Sequence, residues 1–262
     1  MTNRYKSVAA IRDDAKGFMN GNYARAVGIV LIFFGIYYVV SMILSAFDQI
    51  LTAIFVNSGM VSDGAVLVMD IIYGIISLVL NILLAIFTIG MSLFYLKIGC
   101  KAQAAAIDLF AGFREDFSRS LQIACRVNGS IGLAMLPGSV LLSYYIGTKQ
   151  MYALYAAVIS ILVGGILAIY ISLTYEMSYF IMHDFSDYSS GEVISACRKK
   201  MKGHKWRLLG LELSFIPYYI LAILTLGIGM LWVYPLVREA QAQFYLDLMN
   251  PKKVSGEWER TV

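Results

Sequence analysis

The sequence predicts an all-α fold: a polytopic membrane helical bundle with six transmembrane helices, arranged as three hairpins that are each preceded by an amphipathic cytosolic segment. Three observations predict it. The 262 residues are 59% hydrophobic and 15% charged, with a mean hydropathy of +0.71, whereas soluble domains carry about 25% charged residues. Apolar runs alternate with basic segments, and a run of about 20 apolar residues is what a helix needs to cross the hydrocarbon core. Every one of the 21 Lys and Arg residues except Lys149 can be placed on one side of a membrane, the side that the positive-inside bias makes cytosolic.

The first basic segment precedes residue 26. In it Val8, Ile11, Ala15 and Phe18 share a helical face opposite Arg12, Asp13 and Lys16. Residues 26–47 form the first apolar run, which is longer than the roughly 7–15 residues of a signal-peptide core and reads as an uncleaved first span. Residues 66–96 form the second span, with Asp70 near its start, and Asp48 and Asp63 belong to the outer loop between the two. The second basic segment places Phe110, Phe113, Phe117 and Leu121 on one face beside Arg114 and Arg119. Residues 127–148 and 151–175 are the third and fourth spans. In the third basic segment Val193, Ile194, Cys197 and Met201 face away from Lys199, Lys200 and Lys202. Such amphipathic segments are expected to lie in the headgroup plane.

The last apolar stretch, 208–249, is too long for one span. Thr225-Leu-Gly-Ile-Gly229 carries paired glycines that favour a tight turn, so the stretch divides into 208–224 and 230–249. The division also keeps Lys252, Lys253 and Arg260 on the basic side. Both termini are then cytosolic, and the whole chain is a single integral membrane domain.

An internal repeat links the first and third hairpins. Met19, Gly21, Arg25, Gly28, Leu31, Phe33 and Tyr37 match Met201, Gly203, Arg207, Gly210, Leu213, Phe215 and Tyr219 without a gap. Further on, Thr88-Ile-Gly90 and Ala102-Gln-Ala104 are similar to Thr225-Leu-Gly227 and Ala240-Gln-Ala242, with one inserted residue.

Ionisable groups inside a membrane are costly and mark functional candidates. Glu212 lies deep in the fifth span, and Arg238, Glu239 and Gln241 lie in the sixth. Arg238 can reach toward the cytosolic face by extending its stem, which predicts a Glu212–Arg238 pair. Asp70, Asn81 and Glu176 are weaker candidates: Asp70 for reaching water, Asn81 for bonding a neighbouring helix, Glu176 for an interfacial position. Gly164-Gly165 and Pro137-Gly138 fit close helix packing or a kink. Cys100, Cys125 and Cys197 are too few and too scattered for a disulfide framework or a zinc site. The sequence holds no phosphate-binding loop, no nucleophile elbow and no zinc-protease motif, and His183-Asp184 with Asp187 is a weak metal or phosphodiesterase signal. No cofactor and no catalytic residue is expected. The basic residues flank apolar runs instead of forming one patch, so nucleic acid is not an expected partner.

The third hairpin carries the most specific pattern: Ser195, Arg198, Met201, Gly203, Lys205-Trp206-Arg207, Leu213, Phe215, Thr225-Leu-Gly-Ile-Gly229, Leu231-Trp232, Pro235, Ala240, Ala242, Phe244-Tyr245 and Leu248. With Asp108-Leu-Phe-x-Gly112-Phe113, it resembles the uncharacterised bacterial integral membrane family "domain of unknown function 975". The likeness runs over essentially the whole chain and departs at Pro217 and Leu236. The resemblance implies a multi-span bundle in a bacterial cytoplasmic membrane, distantly similar to the membrane domain attached to some glycerophosphodiester phosphodiesterases. It implies no activity. The expected function is therefore a non-enzymatic envelope protein that binds lipid, a partner protein or a second copy of itself, with anionic headgroups at the basic segments. The alternatives are a small solute transporter or channel, and a membrane-embedded lipid-metabolism enzyme.

Overall fold

The computed structural model describes residues 5–57 and 63–250. Among them the regular elements are helical: α1 (Val8–Met19), α2 (Tyr23–Asn57), α3 (Asp63–Gly99), a 3-10 turn (Ala106–Phe110), α4 (Ala111–Arg114), α5 (Phe117–Thr148), α6 (Met151–Tyr175), α7 (Ser178–Asp184), α8 (Ser190–Met201), α9 (Lys205–Leu213), α10 (Ile216–Leu224) and α11 (Met230–Met249). Among the described residues five stretches are long and apolar enough to cross a membrane: Tyr23–Ile54, Ile71–Gly99, Phe117–Thr148, Met151–Asp184 and Lys205–Leu224. The chain divides into two compact units. One comprises residues 1–32, 88–111 and 177–262, the other 33–87 and 112–176.

Five of the expected spans, 26–47, 66–96, 127–148, 151–175 and 208–224, overlap these stretches, whereas the expected sixth, 230–249, is helical as α11 but is not among them. The fourth matches α6 at both ends, because Lys149-Gln150 forms a left-handed turn before it (Lys149 φ 57°) and Glu176 caps its last turn. The first is too short: α2 runs ten residues past Phe47, so Asp48 is an exposed helical residue, not part of a loop. Nothing between 47 and 57 breaks a helix, since the stretch has neither Gly nor Pro. Asp63 opens α3, and its side chain, like that of Asp70, lies outside the described residues, as do Lys252, Lys253 and Arg260.

In the first unit, α1 packs on α9 and α11, α7 on α8, and α10 on α11. Its core holds Ile11, Met19, Ile29, Ile89, Phe94, Phe180, Phe215, Phe244 and Tyr245, all almost fully buried. Residues 225–229 turn the chain as expected: Leu226 (φ 54°) and Gly227 (φ 87°) are left-handed, and Thr225 Oγ1 accepts from the Gly229 N–H at 2.8 Å. One break was not expected. The helix stops at Leu213 and restarts at Ile216, with Pro217 in the first turn of α10, where its missing N–H costs nothing.

The internal repeat is conformational as well as sequential. α1 and α8 are each 12 residues long, and Ser7 and Ser189 cap them by accepting from the N–H three residues on. Their C-caps, Asn20 (φ −58°, ψ 122°) and Lys202 (φ −62°, ψ 117°), have nearly the same backbone and precede left-handed Gly21 and Gly203. The buried positions coincide too: Ile11, Ala15 and Met19 in α1, Val193, Cys197 and Met201 in α8. These apolar faces are closed by protein.

In the second unit, α5 and α6 pack along each other. Gly164 and Gly138 permit it: a Cβ on Gly164 would sit 2.5 Å from the Ala134 carbonyl, and one on Gly138 2.6 Å from the Ile161 side chain. Ala85, Ile86 and Ala124 form a small core with Ile82, Leu83, Phe113 and Leu121. The expected amphipathic segment over 110–121 is not one helix. Asp116 ends it by capping α5 through a bond from the Arg119 N–H, and Phe110 and Phe117 are exposed. Large apolar side chains face outward along this unit, among them Leu133 at 67%, Leu162 at 63% and Ile166 at 69% exposure. A water-soluble monomer rarely shows so continuous an apolar surface.

Candidate functional site

α11 is the least apolar of the long helices and the most enclosed. Glu239, Gln241, Gln243 and Asp247 are all buried in it, Glu239 completely. A buried polar group must be hydrogen-bonded or it costs stability, so the arrangement of these four defines the site.

Their spacing sorts them into two stripes. Tyr234, Arg238 and Gln241 follow one another at helical spacing on one side. Arg238 donates from Nη1 to Gln241 Oε1 at 2.9 Å, and from Nη2 and Nε to the Tyr234 hydroxyl at 3.0 and 3.2 Å. Gln241 Nε2 donates in turn to Glu212 Oε1 of α9 at 2.7 Å. Gln241 thus joins the carboxylate to the guanidinium, orienting its amide to serve both. The sequence predicts a Glu212–Arg238 pair; in the structure Gln241 bonds to both residues. Replacing Gln241 with Leu is expected to lower stability by about 1 kcal/mol, because two half-buried partners are each left short of a bond; a change in thermal midpoint no larger than that of a surface Gln→Leu control would count against the bridge.

Glu239, Gln243 and Asp247 form the second stripe, each four residues after the last. Glu239 Oε1 accepts from Gln243 Nε2 at 2.8 Å, while Glu239 Oε2 and the nearly inaccessible Tyr95 hydroxyl have no hydrogen-bond partner among the described residues. Gly99 at the end of α3 makes room for this pair: a Cβ there would lie 2.8 Å from Gln243 Nε2. One turn further, the Asp247 carboxylate takes Arg207 Nη2 and, at 3.2 Å on each oxygen, the Lys6 N–H. Arg207 Nη2 also donates to the Lys6 carbonyl at 3.0 Å, and the guanidinium lies between the rings of Tyr5 (5.2 Å) and Phe244 (4.8 Å). This cluster ties the segment before α1 to α9 and α11. On the far side, the Tyr245 hydroxyl donates to Asp184 Oδ2 at 2.7 Å and its ring stacks on Phe180.

His204, just before α9, sits edge-on to Tyr5 at 4.5 Å. Burial, with the Arg207 guanidinium beside it, holds its imidazole below the ordinary value of 6.5. A histidine whose pKa is depressed by folding takes up protons more readily when unfolded. Its contribution to stability is full above about pH 6.5 and is lost as pH falls below that value. His204→Gln is therefore expected to flatten the fall in thermal midpoint between about pH 7 and pH 5; an unchanged slope would remove His204 as a cause.

The remaining candidates are scattered. Among the described residues Asn81 bonds within its own helix: its Nδ2 donates back to Ser77, to the carbonyl at 2.8 Å and the hydroxyl at 3.3 Å. It lines a cleft of about 510 Å³ in the second unit with Ser77, Asn128 and Ser139. Glu176 is half-buried at the C-cap of α6. His183 Nε2 lies 2.9 Å from the Ile89 carbonyl, whereas Asp184 faces Tyr245 and Asp187 faces Ser186. No group of three or more potential metal-binding His, Cys, Asp or Glu side chains exists among the described residues. No disulfide joins the cysteines among the described residues; Cys197 is buried, and Cys100 and Cys125 are exposed.

The Arg207–Asp247 pair was not foreseen. The four-residue spacing of Glu239, Gln243 and Asp247 was a usable signal for a buried polar stripe. The part played by the Lys6 backbone had none.

Together these features define an all-helical protein of the membrane class, with long apolar helices and one polar helix enclosed by protein. Within that class, the chain belongs to the family described as protein of unknown function (DUF975), whose model matches residues 1–252. Comparison with curated proteins finds no match, and comparison with solved structures finds none either.

Proposed function

We propose that this is a non-enzymatic protein of the bacterial cytoplasmic membrane that engages anionic phospholipid at its cytosolic face. In this reading α11 is a sixth span whose polar groups are shielded by α1, α9 and α10, the helices pair as three hairpins, and both termini are cytosolic. The observation that carries it is the outer face of α8. Arg198, Lys199 and Lys200 there, and Lys202 at its C-cap, are all exposed, and none has an acidic partner among the described residues. The α1 charges differ, since Lys6 pairs with Asp14 and Lys16 with Asp13. Four unneutralised cations beside a membrane span are the pattern that anionic headgroups attract, at about 1 kcal/mol each. The apolar face of α8 is already closed, which leaves charge as its means of meeting the membrane.

A small transporter is the second reading, favoured by the buried Glu239 Oε2 and Tyr95 hydroxyl, each without a partner among the described residues. Native mass spectrometry of protein extracted in mild detergent separates the two. The lipid reading expects retained anionic phospholipid that is reduced in a variant with Arg198, Lys199, Lys200 and Lys202 all changed to Gln. Retention of a small solute, lost on Glu239→Gln and matched by flux in proteoliposomes, would put transport first.

A further inference from the structure

Arg25 and Arg207 occupy matching positions in the repeat, each four residues after a left-handed glycine. The surrounding pattern is kept as well: Ala26 and Leu208 are buried, as are Ile29 and Leu211. Their environments nevertheless differ in one respect. Arg207 holds the Asp247 carboxylate, delivered by α11, which stays helical to Met249. The corresponding helix of the first hairpin, α3, ends at Gly99, and the Ala102–Ala104 segment that matches Ala240–Ala242 lies beyond its end, outside any helix. No carboxylate is delivered to Arg25, which has no acidic partner among the described residues. In place of one there is a cavity of about 370 Å³, lined by Arg25, Gly28, Ile29, Ile32, Phe94 and the Ala104–Ala106 backbone turn.

That cavity has a single charged lining residue and is otherwise apolar. Its only ionised group is a guanidinium, whose fork matches the oxygens of a phosphate. Asp108, two residues beyond the Ala106 end of that turn, is already taken: its carboxylate accepts from Lys97 Nζ at 2.6 Å and from the Ala105 N–H at 2.8 Å. The apolar side opens toward Ile32, which is 42% exposed on α2, with Leu31 beside it at 52%. Arg25 itself stands at the start of the first apolar run, where headgroups lie if α2 crosses the membrane.

We propose that the cavity beside Arg25 holds the phosphate of an anionic phospholipid from the cytosolic leaflet, with an acyl chain running out over Ile29 and Ile32. The lipid supplies to Arg25 the anion that Asp247 supplies to Arg207. This rests on the lipid reading above and adds to it a specific site apart from the charged face of α8.

The test is native mass spectrometry of the full chain in mild detergent, titrated with dioleoyl phosphatidylglycerol and separately with dioleoyl phosphatidylcholine. The wild type is expected to hold one phosphatidylglycerol more tightly than phosphatidylcholine. Arg25→Gln should weaken that one lipid by roughly five- to ten-fold. Ala106→Phe, which fills the cavity from its exposed rim and leaves Arg25 in place, should displace it as well. The variant with four Gln on α8 should keep it, and excess inorganic phosphate should not compete it away. If Arg25→Gln and Ala106→Phe both hold the lipid as the wild type does while the α8 variant loses lipid, the cavity assignment is overturned and the surface reading stands. If inorganic phosphate displaces it, the ligand is a free phosphate, which overturns the lipid assignment. If the wild type shows no preference for phosphatidylglycerol, both the site and the lipid reading fall.

Discussion

Gly90→Ala is expected to remove most of the folded protein. Gly90 lies in α3 where the chain returns through the 3-10 turn, and a Cβ there would stand 2.1 Å from the Leu109 carbonyl oxygen and 2.8 Å from that of Asp108. Both obstacles are backbone, and neither can swing aside as a side chain would. Leu109 is itself fully buried and Asp108 is anchored by Lys97. Overpacking a fitted core commonly costs about 1–3 kcal/mol, and a rigid clash on this scale should reach about 3 kcal/mol or more by the same reasoning. Gly17→Ala is the control. Nothing lies within 4 Å of the place its Cβ would take, and the exchange should stabilise α1 by up to about 1 kcal/mol. Fluorescence-detected size exclusion after heating reads both. A Gly90→Ala protein that melts with the wild type would show that α3 and the 3-10 turn do not pack as described.

Asp247→Ala is the second large effect. It strips the partner from Arg207, whose Nε and Nη1 are already buried without a hydrogen bond among the described residues, and it frees the Lys6 N–H. Removing one member of a buried ion pair typically costs about 3–5 kcal/mol, because the other charge is left uncompensated. The double variant Arg207→Leu/Asp247→Leu should recover much of that loss, since a hydrophobic pair of similar volume avoids the desolvation penalty. Additive losses in the double variant would mean that the two residues act independently. Because the cluster also holds Lys6, the single variant should expose the segment before α1 to protease before the rest of the chain unfolds, as locally weakened segments open first.

Much of the helical framework was legible in the sequence, for reasons that differ from element to element. α6 was bounded correctly because polar residues stand at both of its ends. The 225–229 turn was readable from its glycines. α2 and α3 were underestimated because span length was set by the membrane, whereas a helix ends where caps or breakers end it. Asp116 divides the segment over 110–121 by capping α5, and side-chain periodicity alone does not reveal a cap. The site divides in the same way. Glu212, Arg238, Glu239 and Gln241 stood out because charge and amide groups are conspicuous in an apolar run, and three of them do meet. Arg207 and Asp247 sit at the ends of apolar runs, where charge is ordinary, and only the fold brings them together. Arg25 became informative through comparison with its repeat partner.

Single-cysteine labelling in intact cells bears most directly on the lipid reading, which needs α11 to cross the membrane and return the chain to the basic side. Cys100 and Cys125 are replaced by Ser and Cys197 by Ala, and one cysteine is then introduced at Leu226, which is 95% exposed in the turn before α11, or at exposed Asn250 after it. A membrane-impermeant maleimide is expected to label Leu226→Cys from outside and to reach Asn250→Cys only after permeabilisation. Labelling of both positions from the same side would contradict the lipid reading, since α11 would then not be a span.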